Sequence, residues 1–254
     1  MGAFPSIQSA KNQYNDRMTN RLTIQLLGRF HLTHSTAAVD LAQRPRLQAF
    51  LAYLVLHPHA VPRRQISAAL WPDVKESTGR NRLRNLLHQL RQLLPHVDAF
   101  LDTQPTTIGW REDAPCAIDV AHFIGALALA ERHADPQQRE QALTQAVDLY
   151  QGNLFPDCYE DWIAPLRTKF YNELLGAYEQ LMALAEGRQD WSAAQRHAER
   201  SLAYDPLRES TYCRLMTFYA QQGDSAAVME TYRRCRAILA RELDAAPSES
   251  TQAL

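Results

Sequence analysis

The chain has 254 residues, enough for two ordinary domains with a core each. At 46% hydrophobic and 22% charged, with no apolar run near the length of a membrane span, its composition is that of a soluble globular protein. The formal net charge of −1 conceals an asymmetry: from Gln43 to Gln92 nine arginines and lysines face only Asp73 and Glu76, a local +7 that leaves −8 for the rest. A basic segment inside an otherwise acidic chain is the electrostatic footprint of a polyanion-binding module.

The first twenty residues are polar and lack the apolar stretch of a secretory signal, so residues 1–20 read as a disordered leader or an expression remnant. Arg21 to Leu41 then punctuates like a small sheet. LTIQLLG, RFHLT and AAVDL are short β-prone runs broken at Gly28 and at His34–Thr36. Three helical segments follow. Arg46–His57 is stopped by Pro58 and turns Leu47, Phe50, Leu51, Leu54 and Val55 inward. Arg63–Leu70 starts after Pro62, buries Ile66, Ala69 and Leu70, and ends at Trp71-Pro72, because a proline disfavours helical geometry in the residue before it. Ser77–Leu94 is the third, with Ser77 or Thr78 as its cap before Gly79. Ala99–Thr103 and Thr106–Trp110, two extended runs around Gln104-Pro105, form a hairpin. Sheet, three helices and terminal hairpin make a winged helix, whose second and third helices are the helix-turn-helix.

The third helix is the most informative stretch. Leu83, Leu86, Leu87, Leu90, Leu93 and Leu94 form one narrow apolar stripe at helical spacing. The opposite face carries Asn81, Arg84, Asn85, His88 and Gln92, with Arg91 at its edge and no acidic residue within Ser77–Leu94. Such a face suits a DNA major groove. Arginine pairs with guanine O6/N7, asparagine or glutamine with adenine N6/N7, and all of them reach phosphate. A solvated, arginine-rich surface helix is the plain alternative for this segment taken alone.

From Ile118 onward the pattern is helical, through DVAHFIGALALAERH, PQQREQALTQAVDLY and the long Asp161–Glu186 stretch. Two helix pairs then repeat with a period of 34 residues: Asp190 aligns with Asp224, Ala193 with Ala227, Arg200 with Arg234 and Tyr178 with Tyr212. Gly187 and Gly223 mark the turns, slightly out of register, and Pro206 opens a helix. That period is the tetratricopeptide signature, in which pairs stack into a solenoid because none buries its apolar face alone. The frequent tyrosines and tryptophans read either as repeat packing or as an aromatic groove for a peptide, subunit or small effector. Asp157, Glu160 and Asp161 near Trp162 read either as acid–base groups or, more readily, as caps of the Asp161–Glu186 helix, where negative charge suits the dipole.

Chemistry is otherwise sparse. Cys116, Cys158, Cys213 and Cys235 lie far apart with no CxxC pair, which argues against zinc or a disulfide framework and for reduced thiols in a cytoplasm. The HPH step at His57 and His59 is a helix-end feature and not a metal site. No phosphate-binding glycine loop, GxSxG elbow, HExxH or GxGxxG occurs among the nine glycines, so no enzyme, cofactor or metal is expected.

The runs LTIQLLGRFHL, QAFLAYLVLHP, RRQISAALWPD and NRLRNLLHQLRQLL resemble the DNA-binding half of the antibiotic-regulatory-protein (SARP) family of bacterial activators. DLYQGNLFPDCYEDWI, LAYDPLRES, LMTFYAQQGD and CRAILARELDAAPSEST resemble the bacterial transcriptional activator domain that follows it in that family. The resemblance runs from about Leu22 to the C-terminus. It departs in the wing, Thr103–Trp110, which lacks the Gly-Tyr pair common in related wings, and at His88. The chain also stops at Thr251-Gln252-Ala253-Leu254, where similar proteins continue their last helix, as a fragment of a longer regulator would.

The expected architecture is mostly α: a leader over 1–20, a winged helix over 21–116 and a helical repeat domain over 117–254. The Ser77–Leu94 helix is expected to read bases through Asn81, Arg84, Asn85 and His88. Arg80, Arg82, Arg91, Arg63 and Arg64 would contact phosphate or flanks, Arg44 and Arg46 the DNA backbone, and Thr106 and Thr107 phosphate from the wing. The resemblance implies side-by-side dimers on promoter direct repeats in a bacterial cytoplasm, contacting RNA polymerase and no membrane. The alternative is a repeat scaffold whose winged helix binds protein.

Overall fold

The computed structural model describes residues 21–253 apart from Pro58, Pro95 and Glu112; the leader expected over 1–20 and the helix stop expected at Pro58 lie outside them. The chain divides into two units. The first comprises the described residues up to Ile124 together with Leu149–Phe170, the second Gly125–Asp148 together with Tyr171 onward.

In the first unit, β1 (Leu22–Gln25), β2 (His31–His34) and β3 (Ala37–Ala38) form an antiparallel meander. Leu22 and Ile24 are buried while Thr23 and Gln25 are half-buried, the period-two signature of a sheet with one face on a core. A fourth strand, β7 (Cys116–Ile118), pairs parallel with β1 and completes the order β3-β2-β1-β7. Nothing in its three residues announces a strand, because its partner lies 94 residues earlier, at Leu22.

Helix α1 (Pro45–Leu56) begins with proline at its first turn, where the missing N–H is no loss. It is buried on more than the one face expected, with Ala49, Ala52 and Tyr53 inside beside Leu47, Phe50, Leu51 and Leu54, whereas Val55 is only half-buried. After β4 (Val61–Pro62), α2 (Arg63–Leu70) packs on α3 (Glu76–Leu93). Gly79 sits where the two helices meet, and a methyl group there would overlap the Ser67 hydroxyl. That close approach buries Ser67, with Ile66 and Leu70, in place of the expected Ala69. Helix α3 starts at Glu76 after Lys75, and neither Ser77 nor Thr78 caps it.

A second sheet, β4-β6-β5, is the wing. β5 (Leu101–Thr103) and β6 (Thr107–Trp110) form the hairpin, and β6 pairs with β4 through Val61↔Ile108 and Pro62↔Thr107. The wing is thus hydrogen-bonded to the residues that launch α2.

Residues from the helical half complete this unit. Asp119 opens α4 (Asp119–Arg132). One carboxylate oxygen accepts the Leu26 and Leu27 amides at 2.7 and 2.8 Å, the other its neighbour Val120's at 2.7 Å. Burial pushes this carboxyl's pKa up against those three bonds. Leu154 bridges to Leu27, and Gly28 lies so close to Gln151 and Gly152 that a side chain on either glycine would strike backbone. Both glycines also have positive φ, which other residues adopt only with strain. The Leu154–Cys158 loop closes over Arg167. Its Nε donates to the Leu154 carbonyl at 2.8 Å, and its Nη2 to those of Pro156 at 3.1 Å, Cys158 at 2.6 Å and Phe155.

The second unit is a helical repeat. It takes its helices from α5 (Pro136–Leu149), α6 (Ala164–Gly187), α7 (Trp191–Tyr204), α8 (Glu209–Gln221), α9 (Ser225–Leu243) and α10 (Glu249–Gln252). Met182, Ala194, Ala198, Tyr212, Leu215, Phe218, Cys235 and Leu239 share one core. The 34-residue period is carried by two equivalent caps. Asp190 accepts from the Ala193 amide at 3.0 Å and Asp224 from the Ala227 amide at 2.9 Å, with nearly identical backbone angles. The turn preceding each cap needs a left-handed residue, supplied by Gly223 in one and Gln189 in the other. Gln189, not Gly187, is therefore the counterpart of Gly223. Pro206 lies in the turn before α8, which begins at Glu209, and its carbonyl accepts from the Tyr212 hydroxyl at 3.1 Å.

Candidate nucleic-acid interface

Helix α3 divides as its sequence dictates. Leu83, Leu86, Leu87 and Leu90 are buried against the first unit's core, and Arg80, Asn81, Arg82, Arg84, Asn85, His88, Arg91 and Gln92 are exposed. Asn81, Arg84, Asn85 and His88 recur at the i, i+3, i+4, i+7 spacing that aligns side chains along one helix face. His88 and Gln92 bond to each other at 3.0 Å between Nε2 atoms. The Arg82 guanidinium stands 6.0 Å from the centre of the Trp71 ring, within cation–π range. Among the described residues no ion pair forms at Arg80, Arg82 or Arg84.

Of the other arginines expected to meet DNA, Arg46, Arg91 and Arg63 make contacts within the fold, whereas Arg44 and Arg64 stay at the surface. Arg46 donates to the Leu70 carbonyl at 2.7 Å and is ion-paired with Glu160. Glu160 is therefore committed to Arg46 and makes no side-chain cap for the Asp161–Ile163 turn that precedes α6. No spacing rule pairs residues 46 and 160, so sequence patterning gives no sign of it. Arg44 is the exposed N-cap residue of α1, and Arg64 stands 4.0 Å from Glu76 with both side chains in solvent. Arg91 reaches the Thr103 hydroxyl at 3.3 Å and Asp98 at 3.5 Å.

Arg63 joins the helix-turn-helix to the wing. Its Nε donates to the Gln104 carbonyl at 2.9 Å, and its backbone amide donates to the Thr106 carbonyl at 2.9 Å. Gln104 and Thr106 form the exposed hairpin tip with Pro105, and Thr107 is half-buried beside Pro62. Partial burial, then repulsion from Arg91 and from Arg84, lowers the pKa of the Arg63 guanidinium. Three cations thus lie close enough to oppose one another, spanning the starts of α2, the middle of α3 and its last turn. Such a cluster lowers its self-repulsion when an anion enters it.

The aromatic residues of the helical half are divided. Tyr150, Tyr178 and Tyr212 are buried, and burial pushes the Tyr178 hydroxyl up to about 12. Tyr159, at 90% exposure, projects from the loop that Arg167 holds. No described helix is long and apolar enough to cross a membrane.

A family model described as the bacterial transcriptional activator domain matches residues 118–254. No curated protein matches. Among solved structures, Mycobacterium tuberculosis EmbR in complex with a low affinity phosphopeptide is similar, with a TM-score of 0.70 and 23% identity over 92% of this chain. The match covers 63% of the EmbR chain, so this chain spans less than two thirds of its length. At that identity the likeness speaks for the fold: a winged helix followed by an all-α repeat domain.

Proposed function

The chain belongs to the family of the bacterial transcriptional activator domain, and from that premise we propose that it binds specific promoter DNA through α3 and activates transcription. The observation that carries this reading is the exposed face of α3, where Asn81, Arg84, Asn85 and His88 share a surface free of carboxylates. Groups of these types, lined along a helix held by leucines on its other side, match base edges in a major groove. Arg80 and Arg82 on the same helix, with Arg44 and Arg64, contact phosphates, and Thr106 and Thr107 donate to phosphate from the wing. The helical repeat half mediates side-by-side pairing on direct repeats spaced by one or two turns of about 10–10.5 bp, and contacts RNA polymerase.

Selection from a random-sequence DNA pool, followed by salt titration of the enriched duplex, tests the proposal. Enrichment of a directly repeated motif is expected, with log K falling by about 0.9 per log salt for each phosphate contacted. Weak binding without enrichment would overturn it and favour the protein-scaffold reading.

A further inference from the structure

We propose that Arg63, seconded by Arg91, is a positioning residue that fixes the wing relative to α3, so that the separation of the two reading elements is set by side chains before DNA arrives. The inference rests on the DNA-binding reading of this face and reassigns two residues that charge alone would give to phosphate.

Four observations converge on it. Arg63 is the first residue of α2, and both its backbone amide and its Nε end on carbonyls of the wing tip, Thr106 and Gln104, at 2.9 Å each. Arg91, from the last turn of α3, reaches the adjoining Thr103 hydroxyl at 3.3 Å. The hairpin end is thus gripped from both helices of the helix-turn-helix. The strand pairing Pro62↔Thr107 stops where the Arg63 bonds begin, so the side chain extends a grip that the two-residue β4 is too short to complete. Finally, Arg63 occupies this position despite the opposing charges of Arg84 and Arg91.

The main-chain bond to Thr106 leaves the Gln104 side of the tip to the Arg63 side chain, and movement of that side shifts the hairpin end relative to Arg84. A guanidinium bonded through Nε to a backbone carbonyl has a fixed direction that an ammonium does not reproduce. The clasp therefore depends on arginine's shape, whereas a phosphate contact depends mainly on charge. That distinction makes the inference testable in the full chain.

Arg63→Lys keeps the charge and removes the directed Nε donor, and Arg63→Ala removes both. Two readouts are taken: affinity for the pool-enriched duplex across a salt series, and amide hydrogen exchange at Gln104 and Thr107 without DNA. Arg63→Lys is expected to lose about tenfold in affinity, the worth of one charge-assisted bond, with an unchanged salt slope and faster wing exchange. Wild-type affinity and exchange in Arg63→Lys would overturn the inference. So would an Arg63→Ala variant whose salt slope shrinks by about 0.9 while its wing exchange stays the same, which would make Arg63 a phosphate contact. Should the wild-type chain enrich no sequence, the DNA reading fails and the exchange arm alone decides the clasp.

Discussion

Arginine is used in opposite ways in the two halves of this molecule. In the helical repeat it is glue between helices: Arg188 grips Glu140 through two bonds at 2.6 and 2.8 Å, and Arg234 grips Glu199 at 3.0 and 2.8 Å while lying over the Tyr212 ring. Arg200 meets Asp148, and Arg208 and Arg214 meet Glu179 and Glu186. Along the outward face of α3, among the described residues, Arg80, Arg82 and Arg84 form no ion pair, and Arg91 meets only the exposed Asp98 at 3.5 Å. The titration shifts register the contrast, since Glu140 and Glu199 hold Arg188 and Arg234 in their charged forms, whereas burial with Arg91 and Arg84 disfavours the charge on Arg63. The lesson is that a cation with a carboxylate beside it holds a fold together. A cluster of cations that outnumbers its carboxylates carries a repulsion that an outside anion relieves.

The comparison can be sharpened by mutation. The largest effect is expected at Arg167, which belongs to the first unit yet is wholly committed to backbone carbonyls. Arg167→Ala strands several of them and should cost about 3 kcal/mol in urea unfolding. An unchanged midpoint would show that the Leu154–Cys158 loop holds itself. Arg84→Ala should leave the melting temperature in place and weaken the enriched duplex by about 1–3 kcal/mol, with less loss on scrambled DNA. Equal loss on both would place Arg84 on phosphate. Arg234→Ala should do the reverse, lowering stability by about 1 kcal/mol, since its ion pair with Glu199 is half in solvent, and leaving DNA binding alone.

Smaller effects test the repeat itself. Gln189→Gly should raise stability by up to about 1 kcal/mol in thermal melts, because the left-handed turn strains a residue bearing a Cβ and Gly223 already relieves it one repeat later. The last effect is a local pH response. Hydrogen bonds from the Ser248 and Thr251 hydroxyls lower the pKa of the Glu209 carboxyl. A depressed carboxylate contributes stability above its unfolded pKa and loses it as pH falls through the folded one. Protection of the Ser248 amide, relative to its intrinsic exchange rate at each pH, should therefore hold down to the ordinary glutamate value of 4.5 and fall only below it. Asp119 has the opposite sign: its raised pKa favours the fold at acid pH, and that contribution declines as pH climbs through the raised value.

Much of the architecture was legible because it depends on near neighbours. Helix α2 falls where its flanking prolines put it, and α3 lies within a residue of the expected Ser77–Leu94 at each end. The Asp190 and Asp224 caps follow from a period visible in the letters. What escaped depends on residues distant in sequence. Strand β7 exists only because β1 offers an edge, Glu160 turns away from a helix end because Arg46 is present, and Ser67 is buried because Gly79 lacks a side chain. For the interface, amphipathic spacing finds which residues of α3 face outward. It does not tell an arginine that is free from one already bonded to the wing.

The parallel pairing of β1 with β7 has a consequence for the order in which the protein is made. Leu22 leaves the ribosome 94 residues ahead of its partner Cys116, and Leu27 waits longer still for Leu154. At about 5–20 residues per second, the first strand spends several seconds or more as an open edge in the growing chain. The helices that follow can form meanwhile, since their contacts are local. Completion of the N-terminal unit is thus timed by synthesis of the C-terminal half.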